Sequence, residues 1–339
     1  MSITIRHVFL TLVVAAFGGA AGVRAAEFKH DLYFCVNLGG QAPVMGRGAA
    51  VLSGIYRSTD RVTVEHVGPA HIRMFKVIAD LRDPNALLVS ALDGVMRTPD
   101  LGKTWRILTD WQMTEAKGLA VDPHEPDHLY AGLPDGVGVS RDHGRTWQRM
   151  TTGIRRAYTH TITVDRAKAG RVFAGTEKGI FLTEDGARTW RLVQGTDDVT
   201  YDLRQSPHDP RVYFAVTSTN GALWSDNNGL AWRRLEGVPT KHTLHNGDFD
   251  ASDPRRLVLC GWSLGVLVSE DGGRTWTDRS AGLPNREVWS VSTDPDIPGR
   301  LYAAPFLKPV FVSDDFGRTW RPLCFEQATV FNIMFVPRR

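Results

Sequence analysis

Short apolar runs recur along this chain, separated by glycine, proline and charged residues. The pattern is clearest in residues 118–150, where the runs cover 118–123, 128–132, 137–140 and 147–150. Runs of this length bounded by Gly, Pro or Asp predict four antiparallel strands rather than helices. The corresponding first and second strands of five further units are predicted at 75–80 and 87–91, 160–164 and 171–175, 201–205 and 212–215, 245–249 and 257–260, and 289–293 and 301–304.

An octapeptide that ends in tryptophan connects the third and fourth strands of six units. Its copies start at Thr98, Ser140, Thr183, Ser225, Ser269 and Ser313, and their tryptophans lie 42, 43, 42, 44 and 44 residues apart. A constant period of this length is typical of the four-stranded blades of a β-propeller. The third residue of the octapeptide, usually aspartate, can accept hydrogen bonds from turn amides, and its glycine tolerates positive φ. We expect the tryptophans to be core residues in the seams between adjacent sheets.

The two ends of the chain supply a seventh unit. Residues 32–36 predict a second strand, 54–58 a third strand, and Ser58-Thr-Asp60 a degenerate octapeptide that lacks the glycine and tryptophan. The first strand that this unit lacks is found near the C-terminus, at 331–336. We therefore predict an all-β, seven-bladed β-propeller of four-stranded antiparallel blades, closed by a C-terminal strand that completes the first blade.

The first 25 residues have the composition of an export signal. Arg6 precedes an apolar stretch at 8–22, and the small residues around 23–25 fit a signal peptidase site. The stretch is too short to span a bilayer comfortably, and no other segment of the sequence is long and apolar enough to do so. We expect cleavage after Ala25, a single propeller domain over residues 26–339, and a periplasmic or extracellular location.

The net charge restricts the expected binding partners, and the number of cysteines restricts the expected disulfides. Removing the signal lowers the formal net charge from +3 to +1, because Arg6 and Arg24 are lost. A near-neutral protein does not attract nucleic acid or anionic lipid, so neither nucleic acid binding nor membrane insertion is expected. Three cysteines cannot all pair; one disulfide is conceivable, but three buried thiols are favoured. Metal-ligand spacings and cofactor-binding motifs are absent from the sequence, so no metal and no cofactor are expected.

One residue per blade, at the start of each first strand, forms a second periodic set. Its members are aromatic, imidazole or lysine side chains: Phe75, Lys117, His160, Tyr201, His245, Trp289 and Phe331. On the face opposite the octapeptide turns they could line a funnel that stacks against a sugar ring or an aromatic ligand. The alternative is a narrow channel plugged by bulky side chains around ordered water. The two histidines favour the ligand-binding interpretation, because a plug does not require imidazole.

Further candidates lie in the loops of the same face. Trp262 is predicted to contact the ligand, and Phe306 and Trp111 are candidates to join it. Residues 37–53 form a glycine-rich insertion that we interpret as a lid. A pair of carboxylates near the funnel could cleave a glycosidic bond, although most charged residues there are expected to be solvated. The charged residues predicted around this mouth are Arg73, Glu115, Arg155, Arg156, Asp197, Asp198, Asp202, His242 and Glu287.

The octapeptide Ser/Thr-x-Asp-x-Gly-x-Thr-Trp resembles the Asp-box, or BNR repeat. Two copies depart from it, since Asn227 and Ala231 replace the aspartate and threonine of the fourth, and Gly186 comes one position early in the third. The resemblance implies a propeller related to sialidases, xyloglucan-cleaving hydrolases, sortilin-type receptors and a photosystem II assembly factor. The sialidase Arg-Ile-Pro segment is not matched by His71-Ile-Arg-Met74, and sialidases are typically six-bladed. No sialidase catalytic residue is therefore assigned.

These observations favour an exported bacterial binding protein over an enzyme. The first hypothesis is that its upper face, opposite the Asp-boxes, recognises a glycan or a protein partner. The alternative is a glycoside hydrolase, not of standard sialidase type, that uses carboxylates around the central funnel. A third hypothesis is an assembly factor for an envelope complex. The absence of a linear catalytic motif argues only weakly against an enzyme, because propeller active sites gather single residues from several blades.

Overall fold

The computed structural model describes residues 28–38, 53–70, 73–154, 157–195 and 198–338. In this part of the chain the regular secondary structure is entirely β, with 27 strands. A helix long and apolar enough to cross a membrane is not found among these residues. The predicted export signal at residues 1–25 lies outside the described residues.

The strands form five four-stranded sheets and one seven-stranded sheet, arranged as the seven blades of a β-propeller. The innermost strands that begin the second to seventh blades are β4 (Met74–Ala79), β8 (Gly118–Val121), β12 (Thr159–Val164), β16 (Thr200–Gln205), β20 (Leu244–Phe249) and β24 (Val288–Thr293). The second strands are β1 (His30–Leu38), β5 (Leu87–Ala91), β9 (Leu129–Leu133), β13 (Val172–Thr176), β17 (Tyr213–Thr217), β21 (Leu257–Gly261) and β25 (Leu301–Pro305).

The third and outermost strands complete each blade. The third strands are β2 (Gly54–Ser58), β6 (Gly94–Thr98), β10 (Gly136–Ser140), β14 (Gly179–Thr183), β18 (Ala222–Ser225), β22 (Gly265–Ser269) and β26 (Lys308–Ser313). The outermost strands are β3 (Glu65–Val67), β7 (Arg106–Ile107), β11 (Gln148–Arg149), β15 (Arg191–Gly195), β19 (Arg233–Arg234) and β23 (Thr277–Asp278). The middle strands are almost entirely buried, which explains their continuous apolar runs, whereas most outermost strands are exposed.

The final strand closes the ring. β27 (Arg321–Pro337) pairs through its first half with β26 and through its second half with β1, for example Val312 with Arg321 and Phe34 with Ile333. It is therefore the outermost strand of the seventh blade and the innermost strand of the first. The predicted closure by a C-terminal strand is confirmed, and it joins the first and last blades through main-chain hydrogen bonds.

A buried arginine adds a second connection between these two blades. Arg61 occupies the degenerate octapeptide of the first blade, and its guanidinium binds Asp294 at 2.8 Å and Asp296 at 3.1 Å in the seventh. It also donates to the carbonyl oxygen of His30, whose own amide donates to Asp296. Because Arg61 and Asp294 are almost fully buried, each depends on the other for its compensating charge.

The octapeptide turns share one hydrogen-bond pattern. In the copy that starts at Ser140, the Asp142 carboxylate accepts the amide and the hydroxyl of Thr146 at 2.8 and 2.6 Å, and Ser140 Oγ accepts the amide of Gly144. These donors lower the pKa of Asp142 to about 2. The pattern persists in the degenerate first copy, where Asp60 accepts the amide and hydroxyl of Thr63.

The two departures from the repeat are accommodated with little change. In the third copy Ala187 takes the position of the glycine, with a φ of 71°, and its amide still donates to Thr183 Oγ1. In the fourth copy Asn227 accepts the amide of Ala231, but Ala231 has no hydroxyl to make the contact that threonine makes in the other copies. Of the two departures, the one in the fourth copy therefore removes a side-chain contact of the turn, whereas the third copy keeps the contacts of Asp185 with Thr189.

The turn tryptophans are less buried than the sequence predicts. Trp190 is 5% exposed and packs in the hydrophobic cluster between the third and fourth blades, where its indole donates to the Met150 carbonyl oxygen. The other five, Trp105, Trp147, Trp232, Trp276 and Trp320, are half-buried at the seams. The seam position is correct, but among these six tryptophans the expectation of a fully buried core residue holds only for Trp190.

All three cysteines are unpaired. Cys35 and Cys260 are buried in second strands and Cys324 is half-buried in β27. Burial raises the pKa of each thiol, so none is a reactive thiolate at neutral pH.

Candidate ligand-binding site

A cavity of about 1180 Å³ lies on the propeller axis. Residues from the innermost strands of all seven blades line it, so it is the central channel of the fold. Pockets on the axis of a propeller can take side chains from every blade, which makes this channel the first place to search for a binding site.

The seven periodic residues predicted from the sequence all line this channel. In most blades the pairing of the innermost strand shifts register at this residue, for example between Thr159 and Thr161 around His160, and between Val288 and Ser290 around Trp289. A β-bulge leaves one extra residue unpaired and re-aims its side chain. The bulges therefore explain why these residues turn toward the axis. We call the set Phe75, Lys117, His160, Tyr201, His245, Trp289 and Phe331 the collar.

The rings of the collar form a chain of contacts around most of the channel. His245 stacks on Trp289 with a centroid distance of 4.3 Å and an interplanar angle of 18°. The remaining neighbours meet at tilted or edge-on angles: Phe75 with Phe331 at 6.0 Å, Phe331 with Trp289 at 6.0 Å, His245 with Tyr201 at 5.9 Å, and Tyr201 with His160 at 5.1 Å. Each ring is half-buried, so part of it remains accessible.

Tyr158 extends this chain and was missed in the sequence. Its ring lies 4.6 Å from that of His160, and the Lys117 ammonium lies 4.6 Å from its centroid in a cation–π contact. The alignment took one residue per blade, whereas Tyr158 lies two positions before the collar residue. Only the unusual density of aromatic residues around His160 could have drawn attention to it.

A second aromatic group adjoins the collar from the rim. Trp262 lies 5.3 Å from Phe306, 6.0 Å from Trp289 and 6.4 Å from His245, measured between ring centroids. It is 37% exposed, as a ligand contact requires. Trp111 is 82% exposed and makes no ring contact with any described residue, so the structure separates it from the collar.

Both collar histidines are held in the neutral form. Burial lowers the pKa of His245 to about 4, and burial together with the nearby Lys117 ammonium lowers that of His160 to about 4. The His245 Nε2 and Trp289 Nε1 atoms are buried and have no hydrogen-bond partner among the described residues. Unpaired polar atoms of this kind are uncommon in folded proteins.

Below the collar, two carboxylates share one arginine. Arg204 donates to Asp202 at 2.8 Å and to Asp248 at 2.9 Å, and Asp248 also accepts the Ser292 hydroxyl and the Thr293 amide. These two aspartates raise the pKa of Arg204, although burial alone would lower it. The sequence placed Asp202 at the mouth, but it lies inside the channel because it follows the bulged Tyr201 on β16.

Lys76 also lines the channel, one residue beyond Phe75 on β4. Burial lowers its pKa to about 8, against a smaller opposing effect of Asp202. Sequence reasoning missed Lys76, Arg204 and Asp248, since the repeat alignment did not extend into the strands.

The other charged residues predicted at the mouth have varied positions. Asp198 is buried and accepts the amides of Val199, Thr219 and Asn220, so it organises its loop. Arg73 and Glu115 line the channel mouth, and His242 and Glu287 are half-buried in nearby loops. Arg155, Arg156 and Asp197, and residues 39–52 of the predicted lid, lie outside the described residues. Metal-binding groups of three or more His, Cys, Asp or Glu side chains are not found in the described part of the chain.

No protein-family model matches the chain, and no curated protein matches it. Several solved structures do. A GH74 enzyme from Niastella koreensis superposes with a TM-score of 0.68 and 16% identity, over 79% of this chain and 50% of that one. The GH74 xyloglucanase from Xanthomonas campestris gives 0.64 and 15%, over 85% and 51%. YCF48 bound to D1 peptide gives 0.56 and 20%, over 74% and 81%.

These likenesses show the fold alone. The chain is a seven-bladed β-propeller. It spans about half the length of the two GH74 enzymes that it matches.

Proposed function

We propose that this protein is an exported Asp-box propeller that binds a glycan at the collar and does not cleave it. The observation that carries the proposal is the unbroken series of ring contacts from Phe75 to Tyr158 at the mouth of an axial cavity. Pyranose rings have a face of C–H groups that packs on aromatic rings and an edge of hydroxyl groups. The collar combines aromatic faces with imidazole, phenol and ammonium groups, which suits both parts of a sugar.

The carboxylates of the channel favour binding over hydrolysis. Glycoside hydrolysis generally needs one protonated carboxylic acid and a second carboxylate that is free to act as base or nucleophile. Asp202 and Asp248 are instead both bound by the Arg204 guanidinium, so neither is free to act as a base or a nucleophile. The likeness to GH74 enzymes is the observation in favour of hydrolysis, so any glycan that binds should also be tested as a substrate.

A protein ligand is the second candidate. The structure of YCF48 bound to D1 peptide shows that a propeller of this shape can bind a peptide. Aromatic side chains are also enriched in the binding hot spots of protein interfaces, so Trp262 and Phe306 suit a peptide as well.

A glycan array with the purified protein, followed by calorimetry and a cleavage assay on each hit, tests the proposal. Two exposed tryptophans provide a matched pair of variants. Trp262→Ala should weaken binding about tenfold through the loss of one stacking contact, whereas Trp111→Ala should bind like the wild type. Equal affinity of the Trp262→Ala and wild-type proteins would place the site elsewhere, and release of shorter sugars would establish a hydrolase.

The export component has its own test. Expression of the full sequence in a bacterial host, followed by mass spectrometry of the N-terminus, should give a mature protein that starts at Ala26. An intact N-terminus in the cytoplasmic fraction would contradict export.

A further inference from the structure

The charges that line the channel are predominantly positive. Five cationic side chains face three carboxylates, which is a formal excess of two positive charges in a protein that is close to neutral. The cations are Arg73, Lys76, Lys117, Arg166 and Arg204, and the carboxylates are Glu115, Asp202 and Asp248. An excess of one sign of charge inside a cavity attracts ligands of the opposite sign.

Two of these cations make no close ion pair, although a carboxylate lies near enough to each to raise its pKa, Asp202 for Lys76 and Glu115 for Lys117. Arg204 binds two carboxylates, whereas the ammonium groups of Lys76 and Lys117 make no hydrogen bond or ion pair with any residue that the structure describes. Burial lowers the pKa of both lysines. Burying a charge without a counter-charge is costly, and natural proteins generally pair such groups.

The two lysines lie on adjacent blades and at adjacent depths. Lys117 is the collar residue of the third blade, and Lys76 follows the collar residue of the second blade. They stand at the one sector where the ring contacts of the collar are interrupted, between Phe75 and Tyr158. We call these two lysines the cationic wall of the channel, and we call the rings of the collar its aromatic wall.

We infer that the ligand is an acidic glycan, a sugar whose ring packs on the aromatic wall while its carboxylate is bound by Lys76 and Lys117. This inference rests on the proposed glycan-binding function and adds the chemical class of the ligand. A hexuronate residue has the required parts, an apolar ring face and one carboxylate at its edge. The carboxylate supplies the close ion pair that both lysines lack.

The first experiment compares ligands and needs no variant. Oligosaccharides of glucuronate, galacturonate, mannuronate and guluronate are titrated into the wild-type protein beside their carboxyl-reduced, neutral counterparts. At least one acidic oligosaccharide should bind about tenfold or more tightly than its reduced form, and this preference should shrink in high salt. Affinity should also fall as the pH rises above about 8, where Lys76 loses its proton.

The second experiment identifies the residues. Lys76→Met and Lys117→Met keep the length of the side chain and remove its charge, so each should reduce the ratio of acidic to neutral affinity toward one. Lys178→Met is the matched control, since Lys178 is exposed in the loop between β13 and β14 and does not line the channel. It should retain the wild-type ratio. If Lys76→Met does not fold, Lys117→Met and the comparison of ligands on the wild-type protein still test whether the ligand is acidic.

The outcomes separate the two proposals. Equal binding of acidic and neutral sugars would overturn the inference that the ligand is acidic, but it would still support the glycan-binding function. Binding of no sugar at all would refute both. Binding of a peptide with a free C-terminal carboxylate, without any acidic sugar, would also overturn the inference, because the cationic wall would then serve a protein partner.

Discussion

Acidification should destabilise this propeller through the two histidines of its collar. In the unfolded chain His160 and His245 take up a proton below the ordinary histidine pKa of 6.5, but in the folded protein their pKa is about 4. Between these values the unfolded state binds more protons, so the free energy of unfolding decreases as the pH falls. The stabilisation is complete above about 6.5 and is lost as the pH approaches 4.

The size of the effect follows from the two pKa shifts. A difference of about 2.5 units at 1.4 kcal/mol per unit gives at most about 3.5 kcal/mol for each histidine. At pH 4.5 most of this has been lost, so the pair should account for about 4–5 kcal/mol between pH 7 and pH 4.5. Most paired carboxylates contribute at lower pH, because their unfolded values lie near 4. Because other histidines, such as His30 and His143, bind carboxylates, the contribution of the collar pair is measured as the difference between the wild type and a variant that lacks both imidazoles.

Phenylalanine is the appropriate replacement. The described residues offer no hydrogen bond to the His245 Nε2 atom, and a phenyl ring preserves the stacking on Trp289. Urea unfolding followed by tryptophan fluorescence at several pH values should show a much smaller pH dependence for the His160→Phe, His245→Phe double variant than for the wild type. Tyr201→Phe, which alters the collar without removing an imidazole, should keep the wild-type dependence. Identical pH profiles for the double variant and the wild type would refute the claim that the imidazoles are buried in neutral form.

Three further predictions concern the scaffold. Trp190→Ala should cost about 3–5 kcal/mol in urea unfolding and Trp147→Ala clearly less, because only the first ring is fully buried; equal costs would contradict the difference in packing. A chain that ends at residue 323 loses the strand that completes the first blade and should not melt cooperatively; a wild-type melting temperature would show that closure is unnecessary. Arg61→Met leaves the buried Asp294 unpaired and should cost about 3–5 kcal/mol, and an unchanged unfolding midpoint would refute that role.

Much of the fold could be predicted because it is periodic. Strand lengths, turn residues and the spacing of the tryptophans repeat in every blade, so errors in one unit are corrected by the others. The closing strand could be predicted by elimination, since the first unit lacked a strand and the C-terminus had one to spare. The collar could also be located, because the bulged residue has the same position in each blade and β-bulges turn it toward the axis.

The polar contacts inside the channel could not be predicted, because they depend on which side chains of neighbouring blades meet and not on the position of each residue in its repeat. Arg204 and Asp248 are 44 residues apart, and their contact depends on how neighbouring blades pack. The same applies to Arg61, which looks like a surface residue of a degenerate turn and is buried against the last blade. Tyr158 departs from the alignment, since no other blade has an aromatic residue at that position. Each such contact is specific to one seam between blades, so a comparison of the repeats does not reveal it.

The two faces of the propeller differ in how their polar groups are satisfied. On the turn face the aspartates accept two or more hydrogen bonds each, which fixes the turns and leaves little capacity for a ligand. Unpaired neutral donors do not distinguish the faces, because the turn residues Trp147 and Trp276 have an indole N–H without a partner, as Trp289 does in the collar. Unpaired charges do distinguish them, since a buried ammonium group loses far more hydration energy than a buried N–H. Lys76 and Lys117 both line the channel, so the electrostatic argument and the aromatic argument support the same proposed recognition site.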